Sequence, residues 1–175
     1  IMVSAPLDKP RQEIPAQQNL SVGPEQRWLD AQFMVRSMRE CIRTTYYGGD
    51  AIPFTMTPIS GGHALYFGCK ASYLYDTVWV EPAPNQSEDK YPSLEGWQDT
   101  KYYKLAVEHN KTYAQESNGL FFTTPFWGNT AGDILSLVRG NEQFYVDMVT
   151  NPVWVKTAVK QMSDILIKAN NEFMK

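Results

Sequence analysis

Two cysteines, two histidines and no run of basic residues set aside several kinds of protein at once. Cys41 and Cys69 are too few and too far apart to frame a small disulfide-bonded domain, so a reduced, cytoplasmic chain is expected. Lys and Arg (16) are scattered and outnumbered by Asp and Glu (19), which gives a net charge of -3 and no general attraction for phosphate backbones. Nucleic acid is therefore not an expected partner. No stretch approaches the roughly 18 to 20 apolar residues that span a bilayer, so no membrane is expected either. The opening Ile1-Met2-Val3-Ser4-Ala5-Pro6 lacks the basic region of a signal peptide, and the sequons at Asn19, Asn85 and Asn110 read as chance matches. Neither a Gly-x-Gly-x-x-Gly nor a Walker pattern occurs, which removes the common nucleotide loops.

What is present is an ordinary globular composition. With 43% hydrophobic and 20% charged residues, 175 residues suffice for one domain with its own core. Ile1 to Pro6 is a short apolar run closed by proline and reads as a strand, and "LDKPRQEIPAQQNLSVGP" reads as an extended loop. Pro24 suits the first position of a helix, where its missing N–H costs nothing. From Glu25, apolar residues recur at threes and fours from Trp28 to Ile42, and Gly48-Gly49 is the expected stop. "AIPFTM" (51–56), "TVWVEP" (77–82) and "LFFTTPF" (120–126) have the length and content of strands, whereas Ala64 to Phe67 suits a helical turn or a strand equally. A helix is predicted from Trp97 to Ser117, ending at Asn118-Gly119. Two short helices follow from Gly132, broken at Arg139-Gly140, and Asn151-Pro152 opens a last helix reaching almost to Lys175.

Helices alternating with strands predict an α/β fold with parallel strands. Only three or four strands can be counted, and so small a parallel sheet leaves open edges. A closed (β/α)8 TIM-type barrel takes about 250 residues. Residues 1–175 are therefore expected to form a single domain that is the N-terminal part of such a barrel, with a small self-contained α/β sandwich as the alternative.

Three segments, "YYGGDAIPFTMTPISGGHALYFGC" (46–69), "TVWVEP" (77–82) and "GDILSLVRGNEQFYVDMVTNPVWV" (132–155), resemble the uroporphyrinogen decarboxylase-like superfamily. There, a Gly-Asp-Ala-x-Pro strand entry precedes a Phe-Gly-Cys-like turn, and an Arg-Gly-x-Glu…Asp…x-Pro-x-x-Val segment follows the third core strand. The resemblance covers most of the chain from about Trp28. It implies a (β/α)8 barrel and one of two chemistries: cofactor-free porphyrinogen decarboxylation, or methyl transfer between corrinoid proteins and thiols with zinc. Two departures favour the methyltransferase. The Arg-Gln-Ala-Gly-Arg-Tyr entry motif is absent, with only Arg11-Gln12 as an echo, and the strand-end aspartate is missing where the strand reads "PFTMTP". The resemblance implies a small-molecule substrate and a corrinoid protein as partners. It puts the zinc ligands of the methyltransferases in the second half of the barrel, outside this chain.

Barrel enzymes carry function at the C-terminal ends of their strands. That singles out Thr57 after one strand and Phe126-Trp127 after another, where the aromatics would either wall a flat ligand or pack the loop. His63 follows two glycines that permit close backbone approach. Arg139 is expected to face a neighbouring carboxylate, Glu142 or Asp147, or else an anionic ligand. Thr57, His63, Trp127 and Arg139 are thus the candidate substrate- or cofactor-binding residues, with no catalytic residue assigned. Asp133, three after Thr130, reads as one half of a capping box, and His109, mid-helix, is expected to be solvated. His63, Cys69, Cys41 and His109 lack the paired spacing of zinc ligands, so no metal site is expected within the chain. The rival reading is a non-enzymatic carbohydrate- or small-ligand-binding module that stacks sugars on Trp79, Tyr91, Trp97 and Trp127. Such modules are mostly antiparallel and all-β, whereas helix is expected to exceed strand here.

Overall fold

The computed structural model describes residues 2–56, 62–84, 86–87, 90–124 and 130–174. It is a mixed α/β structure, 55% helix and 16% strand, so helix does exceed strand. Among the described residues the strands form three two-stranded sheets, none closed into a barrel.

The chain enters on β1 (Met2–Pro6) and reaches α1 (Pro24–Leu29) and α2 (Ala31–Thr44). Pro24 occupies the first turn of α1 as anticipated. The single helix expected from Glu25 is divided at Asp30, whose carboxylate accepts from Phe33 N–H at 3.0 Å and so caps α2. It also ends sooner than Gly48, because Thr45-Tyr46-Tyr47 is β-branched and aromatic and continues as β2 (Thr45–Gly49). β2 pairs antiparallel with β1, Pro6 opposite Thr45 and Met2 opposite Gly49.

After β3 (Phe54–Met56) comes a buried 3₁₀ turn, Gly62–Phe67, which resolves the ambiguous Ala64–Phe67 segment as helical. β4 (Lys70–Tyr73) and β5 (Val78–Glu81) then form an antiparallel hairpin, closed where Leu74 N–H donates to the Thr77 carbonyl at 2.9 Å. β4 was not foreseen. Its "KASY" is too short and mixed to show a period of its own, and its identity comes from its partner.

A 3₁₀ turn (Trp97–Asp99) and α3 (Lys101–Ser117) together fill the predicted Trp97–Ser117 helix, divided where Thr100 caps α3. Asn118 and Gly119 both have positive φ, the left-handed exit expected from the sequence. They deliver the chain into β6 (Phe122–Thr124), which pairs parallel with β3 in the register Phe54↔Phe122, Thr55↔Thr123, Met56↔Thr124. The expected all-parallel arrangement therefore holds for one pair only. The other two described pairs are antiparallel: β4 and β5 are joined by a short turn, whereas β1 meets β2 across some forty residues.

Three helices complete the chain: α4 (Ala131–Arg139), α5 (Asn141–Thr150) and α6 (Pro152–Phe173). The core sits between them, α3 and the Gly62–Phe67 turn. Ala64, Ala106, Ile134, Leu135, Val138, Met162 and Ala169 are all at most 1% exposed there. Burial of each larger aliphatic side chain stabilises the domain by about 1.5 to 3 kcal/mol before entropy is counted. Among the described residues, no helix is long and apolar enough to cross a membrane.

Candidate functional site

The parallel pair gives the fold a polarity. Met56 and Thr124 are register partners at the ends of β3 and β6, so both strands end on the same side of the sheet. Thr57, Phe126 and Trp127 themselves lie outside the described residues. Thr55, one residue before the end of β3, is 5% exposed. At the end of β6 the Thr124 hydroxyl is buried and has no hydrogen-bond partner among the described residues. Buried hydroxyls are normally satisfied, so an unused one at a strand end calls for an explanation.

A cleft of about 630 Å³ opens alongside β6, lined by Asn110, Lys111 and Gln115 of α3, Thr123 of β6 and Glu172 of α6. The Tyr103 hydroxyl donates to one Glu172 oxygen, and Gln98 Nε2 donates to the other at 3.1 Å. Asn110 Nδ2 donates to the Phe173 carbonyl at 2.7 Å and ties α3 to the end of α6. Sequence reasoning missed this cleft, since its residues come from three distant segments and share no local pattern.

His63 begins the buried 3₁₀ turn and is 2% exposed, its ring edge-on to Tyr66 at 5.3 Å between centroids. Burial lowers its pKa to about 4, so the imidazole is neutral near pH 7. His109 is likewise buried rather than solvated as expected. Its Nε2 lies 2.9 Å from the Leu29 carbonyl, because α3 turns this face towards α1. Burial is also the main reason its pKa is lowered.

Arg139 shows which of its two expected partners it takes. Its Nε donates to Asp147 Oδ2 at 2.6 Å, and Nη1 donates to the Ser87 and Lys90 carbonyls at 2.7 and 3.2 Å. The guanidinium lies 4.8 Å from the centroid of Tyr91, which stacks on Trp154 at 4.2 Å. With 1% of the side chain exposed, the arginine joins α4 and α5 to Ser87, Lys90 and Tyr91 and to Trp154 of α6, and offers no open face to a dissolved anion. Burial alone would raise the Asp147 carboxyl, but hydrogen bonds from Arg139 and Gln143 outweigh it and hold the group below the usual value. Gly140 makes the turn possible: its φ is +89°, and a β-carbon there would sit 3.2 Å from Pro82 Cγ.

The capping box is also in place. Thr130 N–H donates to Asp133 Oδ2 at 2.8 Å, and Asp133 N–H donates back to Thr130 Oγ1 at 3.2 Å. Cys69 is buried, its thiol pushed up to about 12 by desolvation. Cysteine ligates zinc as the thiolate, which this burial disfavours. Compared with protein families, with curated proteins and with solved structures, the chain has no significant match in any of the three.

Proposed function

We propose that this chain is part of a (β/α)8-type enzyme of the uroporphyrinogen decarboxylase-like kind, acting as a corrinoid- or thiol-dependent methyltransferase rather than as a true porphyrinogen decarboxylase. One observation carries the reading. In the parallel β3–β6 pair, with α3 in the connection, Met56 and Thr124 close the two strands at the same end, and the C-terminal ends of parallel strands are where ligands sit in α/β enzymes. The buried, unpaired Thr124 hydroxyl supports it as a group available to a ligand at that end. The cleft along β6 is of a size that takes a small-molecule substrate. His63 and Arg139 serve the reading indirectly, by fixing the segments that follow β3 and α4.

A corrinoid would supply the methyl group, and Thr57 and Trp127 are the residues of this chain that would meet it. Zinc would have to come from residues other than the described ones, none of which form a group of three or more His, Cys, Asp or Glu able to hold a metal. The test is to titrate the protein with cobalamin and follow the visible spectrum of the corrinoid. A saturable spectral shift that weakens on Trp127→Ala is expected. No shift at any concentration removes the methyl-transfer reading.

The rival, a sugar-stacking module, draws support from Trp79, which is 66% exposed on β5. Helix-rich architecture argues against it, since such modules are mostly antiparallel sheets.

A further inference from the structure

From Gln143 to Val155 the sequence holds one acidic or basic residue, Asp147, and its side chain is turned inward onto Arg139. The outward side of the same stretch is apolar. Tyr145, Val146, Met148 and Val149 on α5 and Val153 at the start of α6 are between 50 and 82% exposed. Tyr145, Val146 and Val149 fall at helical spacings of three and four, so they form a continuous stripe. Soluble surfaces normally break such a stripe with charge, and a concentrated apolar patch marks a contact surface.

Its two ends identify the occupant. Glu142, exposed, lies one turn before Tyr145, and Lys156, exposed, lies one turn after Val153. A stripe with an acid at one end and a base at the other is complementary to itself reversed, which is what a twofold axis requires. An anionic surface such as a membrane or nucleic acid would instead call for one sign of charge throughout. We infer that a second copy of this chain docks here. The two α5–α6 segments then run antiparallel, with Glu142 facing Lys156 of the partner subunit and the valines packed between.

Sedimentation velocity over a concentration series tests this, with circular dichroism confirming that each variant is folded. The chain is expected to form a dimer. Val149→Asp, at a position 82% exposed in the single chain, is expected to weaken self-association at least about 100-fold, since it puts an unpaired carboxylate in an apolar interface. Glu142→Lys and Lys156→Glu each weaken it about tenfold, by turning two attractive pairs repulsive. The combined variant recovers the wild-type constant, because the pairs are restored with their signs exchanged. A chain that stays monomeric, a dimer indifferent to Val149→Asp, or a double reversal no better than either single one overturns the proposal.

Discussion

Replacing Arg139 by methionine removes the charge but keeps most of the side-chain volume, and leaves the Asp147 carboxylate 2% exposed with only Gln143 as a described donor. Stranding one member of a buried ion pair costs about 3 to 5 kcal/mol. The carbonyls of Ser87 and Lys90 also lose their donor, at about 1 kcal/mol each. The sum is a large share of the roughly 5 to 15 kcal/mol that holds a domain together. With a urea dependence of about 2 kcal/mol per molar, the unfolding midpoint should fall by about 2 M or more. Asp147→Leu alone should also destabilise, since it takes away the carboxylate that Arg139 Nε donates to at 2.6 Å. The double variant, Arg139→Met with Asp147→Leu, removes both charges and should recover much of the loss, because attraction and desolvation nearly balance in such pairs. Urea titrations of the four proteins close a double-mutant cycle, with an expected coupling of about 2 to 3 kcal/mol. Single variants each costing under about 1 kcal/mol, or a double variant as unstable as the two losses added, would refute the reasoning.

Acid should weaken the fold through His63. His63 has a pKa of about 4 folded against 6.5 ordinarily, so between those values the unfolded chain binds more protons and stability falls as the pH falls. The contribution is complete above pH 6.5 and amounts to about 3 kcal/mol lost by pH 4. His109 is shifted in the same direction and steepens the decline. His63→Phe should flatten the pH dependence of the urea midpoint between pH 6.5 and 4, and an unchanged slope would contradict the assignment. Gly140→Ala should cost about 2 kcal/mol, from a positive φ and a close approach to Pro82, and lower the thermal midpoint by roughly 4 to 8 °C. Gly132→Ala, inside α4 with Thr130 Oγ1 at 3.6 Å the one near atom of the described residues, is the control that should not destabilise.

Local chemistry was the most readable part of the sequence. Pro24, the Thr130–Asp133 box, the Asn118-Gly119 exit and Asn151-Pro152 each act over one turn of chain, and each stands where its residue type places it. The Arg139–Asp147 pair was also within reach, being eight residues apart on either side of a glycine. Strand direction was not. Whether "TYYGG" extends a helix or pairs with "MVSAP" depends on a partner some forty positions away, and period alone carries no such information. His109 was misplaced for a related reason. Its helix has neighbours on two sides, so a polar residue between apolar ones still faces inward. The cleft along β6 lay furthest out of reach, assembled as it is from α3, β6 and the end of α6.

The β3–β6 ladder has a consequence for how the chain reaches this state. Residues 54–56 have no parallel partner until residues 122–124 have been made, on the order of seconds later at ribosomal speed. Meanwhile the β4–β5 hairpin can zip from adjacent segments, on a timescale of microseconds. The β3–β6 ladder, with the largest sequence separation of the three described pairs, is therefore the last that can form as the chain is made, and until then Phe54 to Met56 lack their parallel partner.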